Sequence, residues 1–419
     1  MNPFLEKTTT KLEDLIVDWK TLATKPYDKE TVDPYTKLRA ILMNGTEFES
    51  VWLGHQFSRH CGNNDLRREI AMIRRIEQQQ QKRISALKPP DESLLEHTIG
   101  YEMLAVDLTS ALAKTEPDAY VKQALDFALL EDFDHLYRYA NLLEGERHID
   151  PARLVGKHIE IMPGRPTVAH HRDPFDDIRR PITPAAELLT KLHVNIITAA
   201  EQQTMNYYMN IGNFYDTDAG RRLYAEIAMV EEQHVSHYGS LKDPNMTWLE
   251  CLLMHEYTEC YLYWSCFQTE SDRRIRQLWE ELFCQEVAHL HKAAELLKKY
   301  EGKEWQQVIP CGDFPVLLDM VPSKDYVRKV LETVRVTSCR EDYRCVSDMP
   351  EDADFFCYQE KVNHNIAAAQ SHAVIKNYTA ENGKDYRYQE SAHPICALDD
   401  RTCDNTKTGR CRKEACDCC

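Results

Sequence analysis

The chain has 419 residues, of which 43% are hydrophobic and 28% charged, with a formal net charge of -17 at pH 7. That length allows two or three domains, and the composition excludes disorder throughout. The acidic excess argues against general nucleic-acid binding, which needs clustered Lys and Arg. No apolar run approaches the roughly 18 residues of a bilayer span, and Met1 to Lys20 has no signal-peptide core, so the expectation is a cytoplasmic protein with no membrane partner.

Residues 1–90 are predicted to form an N-terminal helical region with a packing role: Lys11 to Thr24 is amphipathic, and Asn64 to Leu87 is long and charged before Lys88-Pro89-Pro90. Residues 91–144 read as helical hairpin one, broken around Lys114 to Asp118. Pro151, Pro163, Pro166, Pro174 and Pro181, with His170-His171-Arg172-Asp173 among them, mark 145–183 as a crossover or irregular segment. From 184 to 300 the helical period returns four times, giving hairpins two and three. Thr247-Trp248-Leu249-Glu250 has the form of a capping box and marks the start of the third of these helices. Residues 301–419 read as loops and short helices ending in a Cys-rich tail, with nine of the 15 Cys between Cys339 and Cys419. Such thiols, without a secretory signal, point to metal or redox chemistry rather than a disulfide framework. The tail has no pair of separated Cys-x-x-Cys knuckles, so a thiolate metal site and scattered thiols both fit.

One spacing recurs through the three hairpins. Glu102 and Asp132, Glu201 and Glu231, and Glu256 and Glu286 are each 30 residues apart, and His135, His234 and His289 follow three residues later. Positions three or four apart share a helix face, and these acids interrupt apolar stripes such as Ile197, Tyr208 and Ile211 or Leu249, Leu252 and Tyr263. A carboxylate turned into a core is costly unless it is paired or binds a metal. A single Glu-x-x-His on a helix is usually a surface pair, but three in register favour metal. Two Glu and two Glu-x-x-His units are what ferritin-like di-iron and di-manganese bundles project inward, with carboxylates bridging hard cations and a neutral imidazole capping each ion.

These motifs resemble the rubrerythrins. Ala199-Ala200-Glu201-Gln202-Gln203-Thr204-Met205-Asn206-Tyr207-Tyr208 is similar to their first ligand helix and Glu231-Glu232-Gln233-His234 to their second. His255-Glu256-Tyr257-Thr258-Glu259-Cys260-Tyr261 resembles the third, in which a second acid moves on and off the metal, and Glu286-Val287-Ala288-His289 the fourth. The resemblance covers roughly 184–300. It implies an all-α fold: a ferritin-like four-helix bundle with additional N-terminal helices, an extra helical hairpin and the Cys-rich tail. It further implies two iron ions held by Glu201, Glu231, His234, Glu256, Glu259, Glu286 and His289, with Glu259 the mobile catalytic carboxylate. The spacing of 30 is nearer to that of manganese catalases, which keeps manganese as the alternative.

Hairpin one stays open as the partner, through Glu102, Asp132 and His135, because its link to hairpin two is long. Asp132 is one methylene shorter than Glu, so its replacement is expected mainly to change stability. His237 and His291 fall off the ligand face and read as surface residues. Tyr208, Tyr257 and Tyr263 read as core aromatics with a lesser chance of lying at the metals. The implied activity is an oxidoreductase that reacts with peroxide or dioxygen and draws on an electron donor. Non-catalytic metal storage, delivery or sensing, and manganese-catalase-like disproportionation, remain alternatives, with a homodimer left open.

Overall fold

The structure is a computed structural model that describes residues 1–8, 10–162, 171–331, 336–338, 343–345, 348–363 and 369–383. Helix starts are written locally. Asp33 accepts from the Tyr35 N–H with Pro34 in the first turn and opens α1 (Pro34–His60), and Asn63 caps α2 (Asn64–Ser85). Ser93 and Glu96 form a capping box at α3 (Leu94–Thr115), and Asp118 caps α4 (Ala119–Arg147). Two single-turn helices, α5 (Ala152–Val155) and α6 (Pro174–Asp177), punctuate the segment that follows. Then come α7 (Leu188–Ile211), α8 (Asp218–Gly239) started by Thr217, α9 (Trp248–Thr269) started by the Thr247–Glu250 capping box, and α10 (Arg273–Glu301). Shorter helices α11 (Lys324–Leu331), α12 (Asp354–Asn363) and α13 (Gln370–Asn382) complete the described chain, with a small antiparallel ladder of Val336–Ser338 and Arg344–Cys345.

The fold is all-α, as the periodicity implies, and no helix among the described residues is long and apolar enough to cross a membrane. One expected helix is absent: Lys11 to Thr24 yields only a 3-10 turn at Leu12–Leu15. There the Asp18 carboxylate accepts from the Lys20 and Thr21 N–H groups, a local turn that competes with helix propagation.

The chain forms two compact units assembled from interleaved segments, which differ from the contiguous blocks expected from sequence. The first takes Met1–Glu92, Ile182–Gln203 and Asp243–Asp319. In it, α1 packs along α2, α9 along α10, and the two hairpins meet through α1 with α9 and α2 with α10. On α2 the buried stripe Leu66, Ile70, Ile73, Ile76 and Ile84 recurs at helical period, and Glu77 and Gln80 sit on that same buried face. The second unit takes Ser93–Pro181, Thr204–Lys242 and Met320 onward. Here α3 packs along α4, and α4 meets both α8 and α13.

Candidate metal centres

In the first unit, α1 and α2 bring in Glu47 and Glu77, α9 brings Glu256 and Glu259, and α10 brings Glu286 and His289; all six are 0% exposed. Glu77, Glu256, Glu286 and His289 offer ligand atoms within 4.8 Å of one another, and so do Glu47, Glu77 and Glu259. Glu77 belongs to both groups, which outlines two adjacent ion positions sharing one carboxylate. His289 Nδ1 lies 2.8 Å from Glu77 Oε1, 3.3 Å from Glu286 Oε2 and 3.7 Å from Glu256 Oε2. Gln80, three residues after Glu77, donates from Nε2 to Glu286 Oε1 at 2.6 Å, and the Tyr263 hydroxyl donates to Glu47.

The carboxylates of this cluster outnumber its cationic partners. Burial first, then repulsion from Glu77 and Glu286, holds the Glu47 and Glu259 carboxyls well above the ordinary range. Burial and Glu77 do the same to Glu256 against the pull of His289. Burial opposes a charge on His289, but Glu77 and Glu286 outweigh it and raise the imidazole well above its usual value. The buried cations of this unit serve other acids: Lys37 pairs with Glu92 and Arg39 with Glu270. Among the described residues, no Lys or Arg pairs with the five clustered Glu, and neither oxygen of Glu256 meets a hydrogen-bond donor. Such a site fits divalent ions, which coordinate carboxylate oxygens and cancel their charge.

In the second unit, Glu102 comes from α3, Asp132 and His135 from α4, and Glu231 and His234 from α8, none more than 1% exposed. Asp132, Glu231 and His234 lie within 4.8 Å of one another, as do Glu102, His135 and Glu231, with Glu231 common to both. His135 Nδ1 is 2.8 Å from Glu231 Oε1, and Tyr208 donates to Glu102. His234 Nδ1 is 3.2 Å from Asp132 Oδ1 and 3.2 Å from Glu231 Oε2, while its Nε2 meets Glu131 Oε2 at 2.6 Å. Glu131 is itself held by Arg172 at 2.6 Å, and Arg172 also donates to Asp177 at 2.8 Å. In the tautomer whose Nε2–H donates to Glu131, Nδ1 turns a lone pair toward two carboxylates, an arrangement that a cation between them satisfies. Burial would raise Glu231, but hydrogen bonds and charge from His135 and His234 hold it at about 2, whereas burial raises Asp132 despite His234.

The structure thus divides the seven expected ligands. Glu256, Glu259, Glu286 and His289 join Glu47 and Glu77, while Glu231 and His234 join Glu102, Asp132 and His135. Among the described residues, no candidate group holds a residue of hairpin two together with one of hairpin three. Asp132, expected to matter mainly for stability, stands inside its cluster, with Oδ1 3.2 Å from His234 Nδ1. Glu201 is buried on α7, in the stretch of that helix counted with the first unit. Residues 1–90 do more than pack. Glu47 and Glu77 show the same 30-residue spacing, passed over because Gln80 stands where the other hairpins carry His.

His237 is fully buried, against expectation, with its ring stacked on Phe127; burial and the nearby Arg172 and Arg179 hold it well below its usual pKa. His291 is half-buried beside the Pro3 carbonyl at 3.1 Å. Tyr257 donates instead to the Asp313 carbonyl at 2.9 Å, away from the ligands. Arg172 and Asp173 of the crossover are structural: the first holds Glu131, the second caps α6. His170 and the tail cysteines from Cys396 lie outside the described residues, and with them the thiolate site considered for the tail.

Fold and clusters together define an all-helical protein with two buried carboxylate–histidine clusters able to hold metal ions. No family model, curated protein or solved structure matches the chain.

Proposed function

We propose that the chain is a di-metal carboxylate oxidoreductase of rubrerythrin-like kind, with a two-ion centre in each unit, that reacts with peroxide or dioxygen. Iron is the proposed metal and manganese the alternative. The observation that carries this reading is the five buried carboxylates of the first unit, uncompensated by any Lys or Arg among the described residues. When bound, two redox-active ions supply the electron transfers that reduce an O–O bond. Glu77 and Glu231, each common to two groups, would serve both ions of their centre, and His289, His135 and His234 would supply imidazole ligands. Glu259, next to Glu47 and Glu77, is proposed as the acid that changes partner or carries a proton. Register proposes Glu201 as a further ligand, since it precedes Glu231 by the same 30 residues that separate Glu102 from Asp132. Re-reduction needs an electron donor, proposed as an external protein or small reductant.

Metal analysis of the full chain, after expression with iron or manganese, is the direct test. About four ions per chain are expected when both centres fill. The double variant Glu286→Ala with His289→Ala should keep only the second unit's ions, and His135→Ala with His234→Ala only the first unit's. The reduced, loaded protein should then change its absorption spectrum on adding peroxide and regain it with reductant. A chain that holds no ions would sink the reading. Ions that bind but ignore both oxidants would turn it into storage or sensing.

A further inference from the structure

In the second unit the ligand helices are lined with tyrosines that continue outward from the cluster. Tyr208 donates to Glu102, and its ring centroid lies 5.7 Å from that of Tyr224, which lies 5.6 Å from that of Tyr215. The Tyr215 hydroxyl donates at 2.8 Å to Glu146, which is half-buried and also accepts from Thr217. Backbone space is made for both outer rings: a Cβ at Gly212 would fall 2.6 Å from Tyr224 Cβ, and one at Gly220 would fall 2.1 Å from the Tyr215 ring. Tyr139 also touches Tyr208 and Tyr224, yet its buried hydroxyl has no hydrogen-bond partner among the described residues.

A phenol gives up an electron at moderate potential only when its proton has somewhere to go, and a base must lie within hydrogen-bond reach to take it. Tyr208 and Tyr215 each have a carboxylate in that position. Tyr224, whose hydroxyl meets Thr98 at 2.6 Å, lies between them without a base of its own.

We propose that Tyr208, Tyr224 and Tyr215 form a relay that carries oxidising equivalents from the second unit's metal centre toward the Glu146 surface, an inference that rests on the metal reading above. In the first step Tyr208 gives one electron to a peroxide-oxidised metal ion and its phenolic proton to Glu102, leaving a neutral phenoxyl. In the second, an electron passes from Tyr215 through the Tyr224 ring to Tyr208. Tyr208 takes its proton back from Glu102, and Tyr215 gives its own to Glu146. The net change is one electron moved from Tyr215 to the oxidised ion and one proton moved from Tyr215 to Glu146, with Tyr208, Tyr224 and Glu102 returned to their starting states. Tyr139 is outside the path because its proton has no acceptor.

The test uses the full, ferrous-loaded chain, mixed with hydrogen peroxide and freeze-quenched for electron paramagnetic resonance, with a nitroso spin trap located by mass spectrometry. A tyrosyl signal and an adduct on Tyr215 are expected. Tyr208→Phe should remove both while bound metal stays the same. Tyr215→Phe should strand the radical on Tyr208 and slow its decay by about tenfold or more, and Tyr139→Phe should change neither. In a parallel arm, a ruthenium photo-oxidant excites the metal-free chain, and Tyr215→Phe should cut the transient tyrosyl yield by about tenfold. Failure to bind iron would defeat the metal reading alone, since the photochemical arm still decides the relay. A photochemical yield or a decay rate indifferent to Tyr215, or equal loss on Tyr139→Phe, would overturn the relay itself.

Discussion

The two units repeat one skeleton, an acid and a second acid 30 residues on, and differ in what balances the charge. In the first unit five carboxylates face the imidazole of His289, an amide, Gln80, and at Glu259 alone the ring of His255, 3.3 Å away. In the second, two imidazoles are interleaved with Glu102, Asp132 and Glu231, and an outer Glu131 held by Arg172 fixes one of them. The tyrosines differ likewise. Tyr263, seven residues after Glu256, donates to Glu47 as Tyr208 donates to Glu102, but its ring meets Trp279, whose indole N–H donates to the buried Glu270. The same geometry is thus tuned by whether protons, imidazoles or metals neutralise it. The first centre is the one that most needs ions.

The sharpest way to break the comparison is to remove the shared carboxylates. Glu77→Ala should empty both ion positions of the first unit and Glu231→Ala both positions of the second, read as metal per chain. If either variant costs a single ion, that carboxylate is not a bridge. Next in size, Arg172→Met leaves Glu131 and Asp177 buried without their cation, which should cost about 3–5 kcal/mol in chemical denaturation. The outer acid itself is milder. Glu131→Gln should weaken the second unit's metal by about 10–100-fold, because His234 loses the partner that sets its ring, with the first unit unchanged. Equal effects on both units would show that Glu131 is not specific to His234.

The pH dependence of the metal-free protein should differ in balance between the units, since in the second unit the raised Asp132 is opposed by the lowered Glu231. Glu47, Glu256 and Glu259 have folded values raised above the unfolded carboxyl value, so the folded state holds the extra protons and stability falls as pH rises above about 4.3. His289, also raised, acts in the same direction: its stabilisation is complete below about 6.5 and is lost as pH rises through its folded value. Glu231, held at about 2, contributes stability above the unfolded carboxyl value that is lost as pH falls toward 2. Melting of the chelated chain should therefore show a loss at rising pH that Glu259→Gln reduces, and metal should abolish it. A flat profile above pH 5 would contradict the first-unit assignment. The smallest expected effect is that of Gln80→His, which supplies the missing imidazole and should raise the first unit's iron affinity by up to about tenfold. No change, with the introduced imidazole confined to the Glu286 hydrogen bond, would mean that the amide position is not a ligand position.

Much of the fold was legible because periodicity and caps are local. The Thr247–Glu250 box marks the start of α9, and the 114–118 break coincides with the turn between α3 and α4. Residues of the buried clusters were legible for the same reason, since Glu-x-x-His declares itself within one turn. Two things were not. Gln80 lacks the imidazole that flags the motif, so Glu47 and Glu77 passed as packing residues. Partnership between hairpins is set by tertiary contacts between distant segments, and the 30-residue register is identical in all of them, so spacing alone cannot choose. His237 shows the complementary error: a residue off the ligand face is not thereby at the surface when a second layer, here Phe127, covers that face.

The interleaving of segments has a consequence for how the protein is made. The α1/α2 hairpin ends at Ser85, and the α9/α10 hairpin that completes its unit begins at Trp248. At the usual 5–20 residues per second, roughly 8–30 s of synthesis separates them. During that interval the face of α2 that bears Glu77 and Gln80 waits without its partner. Acids on that face keep it hydrated while it waits, so the groups that make the finished core expensive without metal also make the nascent hairpin soluble. Metal supply would then act late, after α10 has emerged, and a shortage of ions would appear as a failure of final assembly rather than of early helix formation.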